Sequence, residues 1–174
     1  MDSSKRKYSF SWNLLGNIDM GRPNLGPMAR LEVYRLMQFC LRDIMEQEFG
    51  REKTDRLFYQ AGKLAGTQFY RNVIGPVTGF DDFIKRIQSN LKNLGIAIFR
   101  VERMDMEKRS FIFTISEDLD CSGLPELDYV ICTYDEGFIA GMMQSFAGVS
   151  FKVKEVDCWC TGARTCRFAV DAVE

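Results

Sequence analysis

The amino-acid sequence predicts an α+β fold, with an N-terminal helical layer packed on an antiparallel β-sheet and a cysteine-rich C-terminal lobe. Apolar residues recur at three- and four-residue spacing up to about residue 94, which is typical of amphipathic helices. From residue 96 the period changes to two, which is typical of half-buried strands. Three cysteines then lie in and beside a turn between the last two predicted strands. A helical layer followed by such a sheet is an α+β arrangement.

Three helices are predicted in the N-terminal half. The first covers residues 29–49 and is ended by Gly50. The second covers residues 54–72, with a threonine as its N-cap. The third covers residues 80–94, and the two aspartates in its first turn interact favourably with the helix dipole.

The domain organisation follows from the residues before the first helix. Residues 1–27 are rich in glycine and proline and are predicted to form an irregular arm. Within it Tyr8, Phe10 and Trp12 alternate as they would in a short strand. Residues 28–174 are predicted to form a single domain.

Two predicted hairpins flank a short helix in the C-terminal half. Residues 96–104 and 110–116 form the first hairpin, around a polar turn. Residues 137–146 are predicted to be a helix. Residues 149–154 alternate between apolar and polar side chains, and residues 166–173 form the last strand.

The composition excludes several classes of partner. The chain has 174 residues, 23 basic and 24 acidic, and no basic stretch interleaved with aromatics, so direct nucleic-acid binding is not expected. It contains no run of about 18 apolar residues, and its polar N-terminus lacks the apolar segment of a secretory signal. The sequence therefore predicts a cytoplasmic protein without a membrane partner, in a compartment that keeps thiols reduced.

The chain contains no histidine. This excludes a Ser-His-Asp or Cys-His nucleophile system and the usual zinc hydrolase site with histidine ligands. A haem held by a proximal histidine is excluded as well, although cysteine, methionine or tyrosine ligation is not. We therefore expect no catalytic residues and no enzymatic activity.

The spacing of cysteines around the last turn indicates a metal site. Cys158 and Cys166 flank a turn between two strands, so that their thiolates converge, and Glu155 can supply an oxygen. Zinc takes four such ligands in a tetrahedron, and Cys132, before the preceding helix, is the best-placed fourth. Exchange of roles between Cys158 and Cys160, buried thiols without a metal, and a disulfide are the alternatives.

The C-terminal half resembles the 4-vinyl reductase domain family, which includes the sensor domains of aromatic-responsive transcription activators. The resemblance rests on a cysteine before a glycine-containing helix, then Glu-x-x-Cys, a glycine-bearing turn and Cys-x-Phe. It covers about residues 127–170 by motif. In this sequence the pattern comprises Cys132, Gly137, Gly141, Gly148, Glu155-Val156-Asp157-Cys158, Gly162 and Cys166-Arg167-Phe168.

The resemblance implies a structural zinc ion in the C-terminal lobe, because those four ligands match the zinc site of the phenol sensors in order and spacing. Three thiolates and one carboxylate leave no open position for water, which favours structural over catalytic zinc. The resemblance also implies a pocket for a small hydrophobic or aromatic molecule. Its expected lining, with core packing as the alternative, is Phe111, Phe113, Tyr134, Phe138, Met142, Phe151 and Val153.

The resemblance further implies a homodimer, since the sensor relatives pair through N-terminal segments. The candidate contacts are the aromatic arm Tyr8–Trp12 and the face of the second helix that carries Gly62 and Gly66. The function expected from these features is that of a stand-alone ligand-binding sensor that acts through a signalling partner protein.

Two other functions stay open from the sequence. One is an accessory protein that binds a tetrapyrrole for vinyl reduction in chlorophyll-type biosynthesis, as the family name suggests. The chain has no GxGxxG dinucleotide fingerprint, so a reductase without a partner is not expected. The other is a non-enzymatic dimeric scaffold, because the fold resembles that of small vesicle-tethering subunits. The sequence assigns no role to Cys40, Cys121 or Cys160.

Overall fold

The computed structural model describes residues 7–173 and shows a mixed fold of α-helices and one antiparallel sheet. Residues 1–6 of the predicted arm lie outside this range. The short strand predicted at Tyr8–Trp12 is wrong, because Trp12–Leu15 form a 3-10 turn and a one-turn helix, α1, follows at Ile18–Gly21. Phe10 and Trp12 are half-buried.

The three predicted N-terminal helices are present. They are α2 at Leu31–Phe49, α3 at Arg51–Phe69 and α4 at Phe80–Asn93. Only Gly50 separates α2 from α3, and its φ of 76° is a conformation that glycine adopts without steric cost. The last turn of the long second helix widens into a π-helical segment, Tyr70–Ile74.

The sheet has four antiparallel strands in the order β1-β2-β4-β3. These are β1 at Ile98–Asp105, β2 at Ser110–Ser116, β3 at Phe151–Asp157 and β4 at Cys166–Ala172. Helix α5, at Thr133–Ala147, connects the two hairpins and begins four residues earlier than predicted. The α+β prediction is therefore confirmed.

The inner face of the sheet is the floor of the core. Phe111 and Phe113 of β2 are 3% and 1% exposed, and Phe168 of β4 is fully buried. On β3 the period of two puts Phe151 inside, and it puts Glu155 inside as well. A carboxylate on the buried face of a strand requires a partner, because an isolated buried charge is strongly unfavourable.

Helix α2 presents its apolar stripe to solvent. The exposed fractions of its large apolar side chains range from 50% to 68% at five positions one helical face apart. These positions, called the α2 face below, are Val33, Leu36, Met37, Leu41 and Ile44. Exposed apolar residues on one contiguous face are typical of an interaction surface.

The opposite side of α2 is held by polar contacts. The Tyr34 hydroxyl donates to Asp120 Oδ1 over 2.8 Å. Arg35 donates to three backbone carbonyls of the loop that follows β2. Arg42, 7% exposed, donates to Thr133 Oγ1 over 2.9 Å at the start of α5. These contacts fasten α2 to the segment that leads from β2 to α5.

Helices α3 and α5 cross with their backbones in close contact. A Cβ at Gly66 would lie 2.0 Å from the carbonyl oxygen of Phe138, and one at Gly141 would lie 2.3 Å from that of Lys63. The same holds on both sides of the crossing, at Gly62, Gly66, Gly137 and Gly141. Any side chain at these positions would separate the two helices.

The glycine positions correct one sequence-based prediction. Gly62 and Gly66 were expected to form a contact with a partner subunit, and that prediction is wrong. Their face is occupied by α5 of the same chain, whose backbone lies closer than a methyl group would allow.

We expect Gly66→Ala to destabilise the fold by about 3 kcal/mol, because the new methyl group forces apart two packed backbones. Urea unfolding followed by circular dichroism measures the change. Gly21→Ala, where a Cβ meets no atom within 4 Å, is the matched control and should leave the midpoint nearly unchanged. Equal midpoints for Gly66→Ala and the parent would contradict the close crossing.

Candidate metal centre and ligand pocket

The β3–β4 hairpin and the start of α5 bring the predicted cysteines together. A 3-10 turn at Trp159–Thr161 connects the strands, and Cys158 lies immediately before this turn. Cys166 is the first residue of β4, and Cys132 is the N-cap of α5. All three are at most 1% exposed.

A fourth cysteine completes the cluster. The Sγ atoms of Cys121, Cys132, Cys158 and Cys166 all lie within 4.8 Å of one another. Cys132 Sγ is 3.8 Å from Cys158 Sγ and 4.0 Å from Cys166 Sγ, and Cys121 Sγ is 3.1 Å from Cys166 Sγ. Sequence reasoning left Cys121 without a role, since its only local signal is a cysteine in a turn with glycine and proline.

The spacing of the four sulfurs fits one metal ion. Thiolates at about 2.3 Å from a tetrahedral zinc ion are about 3.8 Å apart, close to two of the three separations. All six cysteines are free, so no disulfide competes for these atoms. Four thiolates around one ion are typical of zinc or iron. The residues therefore fit a closed structural site.

Glu155 lies beside the cluster and outside its set of four donors. Its Oε2 accepts the Cys132 backbone N–H over 3.2 Å, and its buried Oε1 has no hydrogen-bond partner among the described residues. Burial, together with the charges of Cys158 and Cys166, raises the pKa of Glu155 to about 10. Its role as a metal ligand stays a prediction, with a free oxygen available for it.

The thiols in the cluster differ in acidity. Hydrogen bonds from Cys121, Cys132 and Cys166 lower the pKa of Cys158. Hydrogen bonding with Cys121 and its other sulfur neighbours raises the pKa of Cys132 well above its ordinary value. One thiolate in the cluster is therefore stabilised by the protonated thiols around it, which is the arrangement that a cation converts into four thiolates.

Cys160 and Cys40 lie outside the cluster of four. Cys160 is fully buried in the 3-10 turn, and burial raises its pKa to about 12. Cys40 is exposed on α2. Trp159 covers the turn, with its indole N–H donating to the Leu124 carbonyl over 3.0 Å.

Two buried carboxyls adjoin the sulfurs. Asp118 is 3% exposed, and its Oδ2 is 3.1 Å from Cys121 Sγ. Burial, and next the charge of Asp120, raises the pKa of Asp118 to about 6. Asp135 lies in the first turn of α5, and burial raises its pKa well above the ordinary value.

The largest of the described cavities lies between the arm and helices α3 and α5. Its volume is about 510 Å³, and we call it the arm pocket. Tyr134 and Phe138, predicted ligand contacts, both line it. The full lining is Phe10, Trp12, Leu15, Ala61, Leu64, Ala65, Gln68, Phe69, Ile96, Tyr134 and Phe138. Burial raises the pKa of Tyr134 to about 12, so its hydroxyl stays protonated.

The other predicted ligand contacts lie in the core. Phe111, Phe113, Met142, Phe151 and Val153 are all between 1% and 4% exposed and line none of the described cavities. The arm pocket lies on the far side of α5 from the sheet, which a sequence pattern of buried residues cannot distinguish from the core.

The membrane prediction concerns the described helices. Within residues 7–173, none of the helices combines the length and the hydropathy needed to cross a bilayer.

Sequence comparison assigns the C-terminal part to a family. Residues 111–172, from β2 to β4, match the model of the 4-vinyl reductase domain. Two uncharacterized proteins of Methanocaldococcus jannaschii are similar to this chain, one 29% identical over 77 residues and the other 24% identical over 116. The matches cover 44% and 67% of this chain, and only 48% and 64% of those proteins.

Solved structures share the fold at low identity. The phenol-responsive sensory domain of the transcription activator PoxR with phenol has a TM-score of 0.65 at 14% identity, covering 84% of this chain and 76% of that one. A vinyl-4-reductase family protein from Methanocaldococcus jannaschii has 0.59 at 15%, covering 86% and 85%. A trafficking protein particle complex subunit 3 from Naegleria fowleri, covalently bound to palmitic acid, has 0.64 at 12%, covering 83% and 95%. The predicted family resemblance is confirmed.

In protein stripped of metal by a chelator, we expect stability to fall as pH rises. The Glu155 carboxyl ionises near 4.5 when unfolded and near 10 when folded, so the folded state binds more protons between these values. Its contribution to stability is therefore lost across that window. Urea unfolding at about pH 5 and about pH 9 measures the slope.

The matched variant for this prediction is Glu155→Gln, which keeps the shape and removes the titration. Because the thiols titrate in the same window, only the difference in slope between parent and variant reports Glu155. Identical slopes in the two proteins would contradict the raised pKa.

Proposed function

Because residues 111–172 of this chain match the 4-vinyl reductase domain, we propose that the protein is a sensor or carrier of small hydrophobic or aromatic molecules. The arm pocket is the observation that supports this proposal most directly. Its volume of about 510 Å³ lies in the range of small-molecule sites. A structural zinc ion in the cysteine cluster and the absence of catalysis are parts of the same proposal.

The lining of the arm pocket favours an apolar guest. Apolar and aromatic side chains form most of its wall, and Tyr134 and Gln68 are its polar groups. The ring of Phe138 is 5.3 Å from that of Phe69 and 6.5 Å from that of Tyr134. Among proteins of this fold, PoxR was solved with phenol and the trafficking subunit with palmitic acid. A flat or extended hydrophobic molecule matches this chemistry.

The position of the pocket offers a route for signalling. Phe10, Trp12 and Leu15 of the arm form one wall. A guest that contacts these residues changes how firmly the arm packs on α3, and that change is available to a signalling partner protein. Ligand binding is thereby read out without any chemical step.

The cysteine cluster supports a structural role for zinc. An ion closed by four thiolates is electron-rich and has no position for substrate or water. Its ligands would tie the loop after β2, the N-cap of α5 and the β3–β4 hairpin to one point. Cytoplasmic, reducing conditions, under which the thiols stay free to bind metal, are part of this proposal.

A homodimer through the α2 face is the second part of the proposal. The α2 face exposes five large apolar side chains, and α2 itself is anchored on its other side. A second copy of the face would bury this stripe against an identical one, as isologous dimers do.

The α2 face also favours one alternative, a dimeric scaffold like the vesicle-tethering subunits. In that case the protein pairs through α2 and the arm pocket takes no exchangeable guest. The tetrapyrrole accessory function stays an alternative too, which an absorption spectrum of the purified protein tests by the presence of a Soret band.

We expect Ala65→Phe to weaken ligand binding at least about tenfold, because the added ring occupies the arm pocket. Isothermal titration with palmitic acid and with phenol measures the affinity. Ala147→Phe, an exposed position at the end of α5, is the matched control and should bind like the parent. Failure of the parent to bind either molecule, with a stable dimer, would favour the scaffold.

We expect Cys158→Ser and Cys166→Ser to lose the ion, because each removes one of the thiolates that close the site. After substitution with Co²⁺, the thiolate-to-cobalt absorption band should disappear in both variants and the unfolding midpoint should fall. Cys40→Ser, at an exposed thiol, is the control and should keep the band. An unchanged band in Cys158→Ser would refute the site.

The same spectrum identifies the fourth donor. If Cys121 is the fourth ligand, Cys121→Ser weakens the band and Glu155→Gln leaves it in place. The opposite pattern assigns the fourth position to Glu155.

We expect Leu36→Glu to raise the dimer dissociation constant at least about tenfold, because it places a charge in an apolar interface. Light scattering coupled to size-exclusion chromatography gives the mass. Leu94→Glu makes the same substitution at an exposed leucine outside α2 and should leave the dimer intact. A monomeric parent protein would argue against the α2 interface.

A further inference from the structure

A second group of possible metal donors shares one sulfur with the cysteine cluster. A carboxylate oxygen of Asp118, one of Asp135 and the Sγ of Cys132 lie within 4.8 Å of one another. Asp118 comes from the loop after β2, while Cys132 and Asp135 come from the start of α5. The three donors therefore converge from two separate segments on one side of Cys132.

Metal binding to the cysteines removes the hydrogen-bond donors of Asp118. Its Oδ2 is 3.1 Å from Cys121 Sγ and 3.8 Å from Cys132 Sγ, so it accepts from thiol S–H groups. Thiols that ligate zinc are deprotonated. Once both sulfurs are thiolates, the Asp118 carboxylate, 3% exposed, faces two negative atoms with no proton between them.

Asp135 has an unpartnered oxygen in the same place. Its buried Oδ2 has no hydrogen-bond partner among the described residues. Its position in the first turn of α5 favours a negative charge through the helix dipole, yet the dipole supplies no donor to that oxygen. A buried carboxylate oxygen without a partner costs free energy that a cation would recover.

No basic side chain in the described part of the chain neutralises these groups. Within residues 7–173, none of the ion pairs includes Asp118 or Asp135. Arg35 donates to backbone carbonyls of the loop. Arg42 forms ion pairs with Glu46 and Asp55. Four thiolates and one zinc ion already sum to a charge of about -2, so the two carboxylates add to an uncompensated negative charge.

We propose that Asp118, Cys132 and Asp135 bind a second divalent ion, with the Cys132 thiolate bridging it to the zinc of the four-cysteine site. This inference rests on the zinc site proposed above. Two carboxylate oxygens with one thiolate suit zinc or a similar borderline ion and disfavour Mg²⁺ and Ca²⁺, which take oxygen donors only. Three protein donors leave the fourth position of this ion to water.

The experiment counts ions in a Cys40→Ser background, which removes the exposed thiol. The protein is loaded with ¹¹³Cd²⁺ alone by equilibrium dialysis, and the bound metal is measured by elemental analysis and ¹¹³Cd NMR. We expect two ions per chain and two resonances, one from a site with sulfur donors only and one from a mixed oxygen and sulfur site.

Two variants isolate the second ion. Asp135→Asn and Asp118→Asn should each halve the metal content and remove the mixed-donor resonance, while the all-sulfur resonance persists. Asp128→Asn, at an exposed aspartate of the same loop, is the matched control and should keep both resonances. Circular dichroism of each variant verifies that the fold is retained, which the persistent all-sulfur resonance also reports.

The outcomes separate this inference from the zinc site. One ion per chain in the parent, with the all-sulfur resonance alone, overturns the second ion and leaves the zinc site standing; the proton then neutralises Asp118. The same metal content in the parent and in both carboxylate variants also overturns it. No bound ion in the parent overturns both.

Discussion

The close crossing of α3 and α5 is the constraint on which the rest of this structure depends. Glycines on both helices let the backbones touch, with carbonyl oxygens of one helix where a Cβ of the other would be. This contact fixes the position of α5 along α3. It thereby places Cys132, the N-cap of α5, against the β3–β4 hairpin. It also places Tyr134 and Phe138 along the wall that α5 contributes to the arm pocket.

The metal centre and the pocket are consequently two ends of one helix turn. Cys132 and Glu136 face the sheet, where Glu136 Oε1 accepts from the Glu155 backbone N–H over 2.9 Å and from Lys154 Nζ over 2.8 Å. Tyr134 faces the opposite way, into the pocket. Helix α5 needs both attachments, because its N-terminus has no side-chain cap to hold it in place.

The sequence predicted the parts of this arrangement that depend on local periodicity. The period of two on β3 predicts that Glu155 lies inside with Phe151 and Val153, and all three are at most 4% exposed. Cys158 and Cys166 were predicted to converge because the hairpin between them is short. Cys121 was not, because residues 117–132 have no regular structure and no period that indicates which side chains point inward.

Helix α2 shows a second limit of sequence patterns. Its apolar stripe was recognised, but a stripe does not tell whether a core or a partner covers it. The side that packs on the domain uses Tyr34, Arg35 and Arg42, whose hydrogen bonds to a distant loop leave no apolar signature. Likewise, the glycine spacing on α3 indicated a close backbone contact correctly, while the identity of the contacting helix depended on the tertiary structure.

The placement of the two tryptophans has a practical consequence for studying this protein. Trp12 is in the wall of the arm pocket, and Trp159 lies on the turn of the cysteine cluster with the Arg164 guanidinium 5.4 Å from its ring. Each of the two sites therefore contains its own intrinsic fluorophore. With one indole replaced by phenylalanine, emission from the other reports events at a single site, so that occupancy of the two can be followed separately in one unlabelled chain.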